Sequence, residues 1–239
     1  MVEVYVCQLP ERKNRAMLLS LLAYTSTERQ NYMLQFYHIE DAYRAIIGDL
    51  LLDHVLYKRL GVRLKEVAVD KNAYGKPFFP DYPFIKYNIS HSGDYIACAI
   101  HSQRVGIDIE KVKLFDLRMA KQLFSASEYC AICHATNKNL ACYNLWTLKE
   151  SYIKMLGKGL AIPLDSFQMI KSSENEIKVI DMNKKKEVKD SICIQYPIAA
   201  DYQLAVCAHG AVKADFQNEV KHIRLAQLIT TLTRMTGFV

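Results

Sequence analysis

Parts of this 239-residue chain repeat one another about a hundred residues apart, and this constrains the fold more than any single motif. Asp41-Ala42-Tyr43-Arg44-Ala45-Ile46-Ile47-Gly48 places an acid, a small residue, a tyrosine and a glycine at one spacing. The same spacing returns in Glu150-Ser151-Tyr152-Ile153-Lys154-Met155-Leu156-Gly157. Asp94-Tyr95, an apolar run and His101 are matched by Asp201-Tyr202, an apolar run and His209. More weakly, Ser26-Thr27-Glu28 and Ser127-Glu128 each open a helical pattern with a capping residue. The order is preserved, and the offset is too long for a solenoid. Two similar halves are therefore predicted, residues 1–103 and 104–239, joined near Ser102 to Val105. Chance likeness of short apolar runs is the competing explanation.

Each half reads as mixed α and β. Val2–Cys7, Lys65–Val69, Ile85–Ile89, Tyr95–Ile100 and Arg104–Glu110 read as strands. So do Phe167–Ile170, Ile177–Ile180, Ser191–Tyr196 and Gln203–Ala208. Helical spacing runs through Glu28–Leu60, Leu117–Phe124, Leu140–Leu156 and Val220–Met235. Lys184-Lys185-Lys186 reads as a solvated hairpin tip. With 51% hydrophobic and 23% charged residues, the chain is globular. No signal-peptide pattern or membrane-length apolar run is present, which predicts a soluble cytoplasmic protein. The seven cysteines then read as reduced packing residues, including the haem-like Cys130-Ala131-Ile132-Cys133-His134. A net charge of +6 suits an anionic partner without selecting one. The basic residues are scattered, so a nucleic-acid surface is not expected.

The chemistry concentrates in a few segments. In Val105-Gly106-Ile107-Asp108-Ile109-Glu110, strand alternation sends Asp108 and Glu110 to one face, about 7 Å apart. Oxygen ligands of this kind favour magnesium or calcium, whereas two solvated acids at a strand end are the plain alternative. Trp146, Glu150 and Lys154 share one helix face. Asn88-Ile89-Ser90-His91-Ser92-Gly93 reads as an anion-binding turn between strands, and Tyr74-Gly75-Lys76-Pro77 as a turn presenting a lysine.

Together these segments closely resemble the signature of the Sfp-type 4′-phosphopantetheinyl transferases: Gly106 to Glu110, then Trp146-Thr147-Leu148-Lys149-Glu150-Ser151-Tyr152-Ile153-Lys154, with Tyr74 to Pro77 and Asn88 to Ser92 as further motifs. Phe36-Tyr37-His38 leading to Asp41, Arg44 and Gly48 is similar to another. The resemblance implies an α+β fold of two similar halves forming a pseudo-dimer, with coenzyme A bound between them. It implies magnesium held by Asp108, Glu110 and Glu150. It further implies coenzyme A contacts from Arg29, Arg44, Lys76, Ser90, His91, Asp108 and Lys154. Where relatives often carry a lysine pair, this chain has Arg29 and Tyr32.

The implied reaction moves 4′-phosphopantetheine from coenzyme A to a serine of an apo acyl or peptidyl carrier protein, releasing 3′,5′-bisphosphoadenosine. Glu150 is the expected base and Lys154 the expected partner of the departing phosphate. Lys111, Lys113, Arg118 and Lys121, beside Phe115, Leu117 and Met119, form either a docking face for an acidic carrier or an ordinary amphipathic helix. The duplication predicts a monomer. A non-catalytic carrier-binding module is the main alternative.

Overall fold

The computed structural model describes residues 1–171 and 177–235. In the first half, strand β1 (Glu3–Gln8) is followed by helices α1 (Arg15–Leu22), α2 (Thr27–Met33) and α3 (Ile39–Leu60). A small hairpin, β2 (Asp70–Lys71) and β3 (Pro77–Phe78), precedes the longer hairpin β4 (Lys86–Ser92) and β5 (Tyr95–His101). The second half opens on β6 (Val105–Lys111), then α4 (Leu117–Leu123), α5 (Ala126–His134) and α6 (Lys138–Leu156). Strands β7 (Phe167–Lys171), β8 (Ile177–Asp181), β9 (Lys186–Glu187), β10 (Ser191–Tyr196) and β11 (Tyr202–His209) follow. The tail forms β12 (Lys221–His222) and α7 (Leu225–Met235).

The helix ends follow local chemistry. Asn14, Ser26, Asp116 and Asn137 each accept a first-turn N–H at an N-terminus. Gly61 and Gly157 close α3 and α6 in the left-handed conformation. The cap of α5 is Ser125, in a reciprocal box with Glu128, and not Ser127.

The α+β class expected from the sequence is the one found. Its duplication shows in the strand order. β1 pairs with β5 and β5 with β4; likewise β6 pairs with β11 and β11 with β10. Each half is thus a strand, a long helix and a hairpin, with the first strand beside the last. α3 packs its Tyr43 and Ile46 against Ile96 and Cys98 of the first sheet. α6 packs Tyr152 and Met155 against Cys207 of the second. The opposite faces meet in a shared core, where Val4, Val6, Ala97 and Ala99 lie against Ile107 and Val206. Strand alternation explains how one strand serves two cores.

Of the sequence repeats, Asp94-Tyr95 and Asp201-Tyr202 occupy matching places, at the starts of β5 and β11. Asp41 and Glu150 do not. Asp41 lies in the first turn of α3, where an acid suits the helix dipole, while Glu150 lies near the end of α6.

Other departures are local. The helical stretch from Glu28 breaks between Met33 and Ile39 into α2 and α3. No strand forms over Lys65–Val69, where one was expected: Leu64–Glu66 is a 3-10 turn and the next strand begins only at Asp70. The helix expected from Val220 begins at Leu225, because Lys221–His222 pairs in parallel with β1. β12 therefore belongs to the first sheet, and α7 places Leu228 and Leu232 in the first half's core. Cys130 is exposed and Cys133 half-buried, so these two are not core residues; the other five cysteines are. No helix among the described residues is long and apolar enough to cross a membrane.

Candidate active site

The two halves meet edge to edge along β4 and β6, where side chains replace a backbone ladder. Asn88 Oδ1 accepts the Ile107 N–H at 2.9 Å, Ser90 Oγ the Ile109 N–H at 3.4 Å and Ser92 Oγ the Lys111 N–H at 3.1 Å. Strand alternation brings Asn88, Ser90 and Ser92 to one side, and their partners climb β6 in step. The segment expected as a turn is therefore the strand itself, and the turn is confined to Gly93-Asp94.

The same serines position the acids. Ser90 Oγ donates to Asp108 Oδ1 at 3.0 Å, and Ser92 Oγ to Glu110 Oε2 at 2.7 Å. Lys154 reaches over from α6, with Nζ 2.6 Å from Asp108 Oδ1 and 3.0 Å from Ser90 Oγ. Helix and strand approach this closely because residue 106 is glycine. A Cβ there would stand 2.1 Å from the Ser151 carbonyl oxygen and 2.2 Å from the Met155 nitrogen. Ser151, fully buried, is the small residue on the facing turn.

Asp108 is 2% exposed, and its Oδ2 is buried without a hydrogen-bond partner. An acceptor left in that state is costly. Burial raises the Asp108 carboxyl above the ordinary range, against the opposing pull of Lys154 and Ser90. Burial and the Asp108 charge raise Glu110. Burial, Asp108 and Glu110 raise Glu150. Mutual repulsion of this kind marks Asp108, Glu110 and Glu150 as neighbours. Among the described residues, however, no three acids, histidines or cysteines stand close enough to form a ready metal cage. The donor set is oxygen only and contains an orphaned carboxylate oxygen. A divalent cation such as magnesium fits that chemistry.

The remaining expected contacts divide into two groups. His91 is exposed at the end of β4, and Arg44 bonds Asp41 Oδ1 at 2.6 Å and the Gly93 carbonyl at 3.0 Å. Partial desolvation, with Arg44 and Lys154 close by, lowers the His91 imidazole. The Arg44 guanidinium and the imidazole of His91, which its lowered pKa keeps toward the neutral form, make a polar rim beside the acids. Arg29 and Lys76 lie apart from it. Arg29 makes a two-pronged bond to Asp49 at 2.8 and 2.9 Å, and its guanidinium sits over the Tyr32 ring. Lys76 Nζ donates to the carbonyls of Val105, Lys154 and Met155.

Three contributors were not singled out from the sequence: Asn88, Ser92 and Gly106. The alternation Asn88-x-Ser90-x-Ser92 was the available signal. Lys149, inside the signature, faces away from the site and is fully buried against Glu128. On the expected docking face, Phe115 is buried against Trp146 and Tyr143, while the adjacent Leu114 is 90% exposed.

Comparison with known proteins gives concordant results. A model of the 4′-phosphopantetheinyl transferase superfamily matches residues 104–207, and one of the 4′-phosphopantetheinyl transferase N-terminal region matches residues 10–103. The chain is 35% identical over 213 residues to 4′-phosphopantetheinyl transferase Sfp of Bacillus subtilis, covering 87% of this chain and 91% of that protein. It is 36% identical over 190 residues to 4′-phosphopantetheinyl transferase gsp of Aneurinibacillus migulanus, covering 79% of each. A crystal structure of Thermotoga maritima holo-[acyl-carrier-protein] synthase superposes with a TM-score of 0.36 at 18% identity, over 46% of this chain and 64% of that one, too loosely to argue from.

Proposed function

The chain belongs to the 4′-phosphopantetheinyl transferase superfamily and is an enzyme of that activity, and from this premise we propose that its donor is coenzyme A, its metal magnesium and its acceptor a serine of an apo acyl or peptidyl carrier protein. The observation that carries the reading is the seam itself: Asp108 and Glu110 of β6 held by the serines of β4, with Glu150 and Lys154 of α6 brought against them.

Asp108, Glu110 and Glu150 would hold the magnesium ion, and the orphaned Asp108 Oδ2 supports that assignment. Bound there, magnesium supplies charge neutralisation for the pyrophosphate. The serine hydroxyl attacks the β-phosphorus, a new serine O–P bond forms, and the P–O bond to 3′,5′-bisphosphoadenosine breaks. Glu150, its pKa raised by burial and by its acidic neighbours, takes the serine proton. An ammonium has three donors, and Lys154 gives one to Asp108 and one to Ser90. The third can meet the departing phosphate. Arg44 and His91 on the rim suit the remaining phosphate charge. Seven free cysteines support a reducing, cytoplasmic setting, and the internal pairing of halves supports a monomer.

Mass spectrometry of an apo carrier protein incubated with coenzyme A and magnesium tests this. Wild-type enzyme should add the pantetheinyl mass. Asp108→Ala and Glu150→Gln should stay folded and lose most turnover, and near-normal transfer by either would refute the metal assignment.

A further inference from the structure

The tight hairpin β2–β3 sits against the end of α6 and the start of β6. Its turn is organised by Asn72, whose Oδ1 accepts the N–H groups of Tyr74 and Lys76, each at 2.9 Å. Asn72 Nδ2 donates to the Gly157 carbonyl at 2.8 Å. Lys76 Nζ lies 2.8 Å from the Val105 carbonyl oxygen, 2.6 Å from that of Lys154 and 3.4 Å from that of Met155. The last carbonyls of a helix have no partner within it and carry the negative end of its dipole, so an ammonium is well suited to cap them. Three carbonyl contacts occupy the three donors an ammonium has. Burial, with Arg104 and Lys86 nearby, pushes this lysine down to about 8, so it is still charged near neutrality.

We propose that Lys76 is a positioning residue: it acts through α6, holding the turn that carries Lys154, and does not bind the coenzyme A phosphates. The link is direct. Lys154 offers its carbonyl to Lys76 and its ammonium to Asp108. A residue of the first half thereby fixes a reacting group of the second. Gly157 keeps the joint tight, since a Cβ on it would stand 2.9 Å from Lys76 Cδ.

The inference rests on coenzyme A being the donor, and the two fail differently. If coenzyme A is not the donor, the wild-type enzyme does not modify a carrier with it. If only the role of Lys76 is wrong, the wild-type enzyme is active and the variant departs from the following pattern. For Lys76→Met, assayed on an apo peptidyl carrier domain, kcat should fall about tenfold or more. Coenzyme A Kd, measured by calorimetry, should stay within about threefold. A Kd weakened about tenfold with kcat intact at saturation would make Lys76 a phosphate ligand and overturn the proposal. A lowered Tm with kcat per folded molecule unchanged would make it a brace only, and would also overturn it. Should the variant not fold, hydrogen exchange on the wild-type enzyme decides. The amides of residues 154–157 should keep their protection when coenzyme A binds, and a loss of protection would mean the ammonium had left for the ligand.

Discussion

Lys149 shows how much of the signature helix is architecture. Its ammonium is fully buried, 3.0 Å from Glu128, and donates to the carbonyls of Leu164 and Phe167 with the Phe167 ring beneath it. Glu128 in turn accepts the N–H groups of Ser125 and Met169. The pair ties α5, α6 and the start of β7 together on the side away from the acids. Such a pair adds little over a well-packed apolar substitute, but removing one member strands a buried charge. Lys149→Met should therefore cost about 3–5 kcal/mol in urea unfolding. The double variant Lys149→Met/Glu128→Gln should recover part of that loss. A single variant that loses under about 1 kcal/mol would show the pair to be energetically idle. Glu150, the next residue along, is turned toward Asp108, Glu110 and Lys154. Adjacent residues of one helix thus divide between a buried structural pair and the proposed site.

At the scale of elements, the close contact of α6 with β6 delivers Glu150 and Lys154 to Asp108. The contact is backbone on backbone, so it tolerates no side chain at Gly106. Gly106→Ala should cost about 1–3 kcal/mol or more through overpacking and should lower turnover by displacing Glu150 and Lys154 from Asp108. A thermal melt and a carrier assay would read the two effects, and a variant with unchanged Tm and rate would contradict the packing. The long periodic stretches of α3 and α6 were legible from sequence, because many apolar positions agree on one face. β6 was legible too, its alternation separating Ile107 and Ile109 from Asp108 and Glu110. Asn88 to Ser92 was misread as a turn because its polar residues mark solvent in most sequences. Here Asn88, Ser90 and Ser92 face the backbone of β6, a pairing between distant segments that no local pattern encodes. The sequence shows Lys76 only as a turn lysine that the family resemblance makes a coenzyme A contact; its carbonyl partners lie on elements far away in sequence and leave no local mark. Lys65–Val69 has strand-like residues but forms no strand: a 3-10 turn takes its first two residues, and pairing starts only at Asp70 with Phe78.

The whole molecule is an unequal pair. Its first half lends side chains, Asn88, Ser90, Ser92 and Lys76, to the backbone of the second, which carries the acids. This arrangement concentrates like charges at the seam and predicts a pH-dependent response to magnesium. Asp108, Glu110 and Glu150 all have folded pKa values raised above their ordinary ones, with burial the largest cause. The contribution of such a group is full below its unfolded pKa and is lost as pH rises through the folded pKa. Going from mildly acidic to neutral pH, the metal-free protein should lose that stability. His54, His91 and His101 have lowered pKa values, all chiefly through desolvation. They act with the opposite sign over part of the same window, because the unfolded chain then binds more protons. Glu3, held down to about 2 by Lys221, Tyr5 and Arg59 against the effect of burial, responds only at far lower pH. Absolute stability therefore mixes opposing contributions, whereas the difference with and without magnesium isolates the seam. Magnesium requires ionised carboxylates, so its stabilisation should grow as pH rises from about 5 to about 7.5. At a hundredfold excess over Kd it should reach about 2.7 kcal/mol. Paired melts at the two pH values check this, with Asp108→Asn as the control that should abolish the difference. An equal magnesium shift at both pH values, or an undiminished shift in the variant, would place the ion elsewhere on the protein.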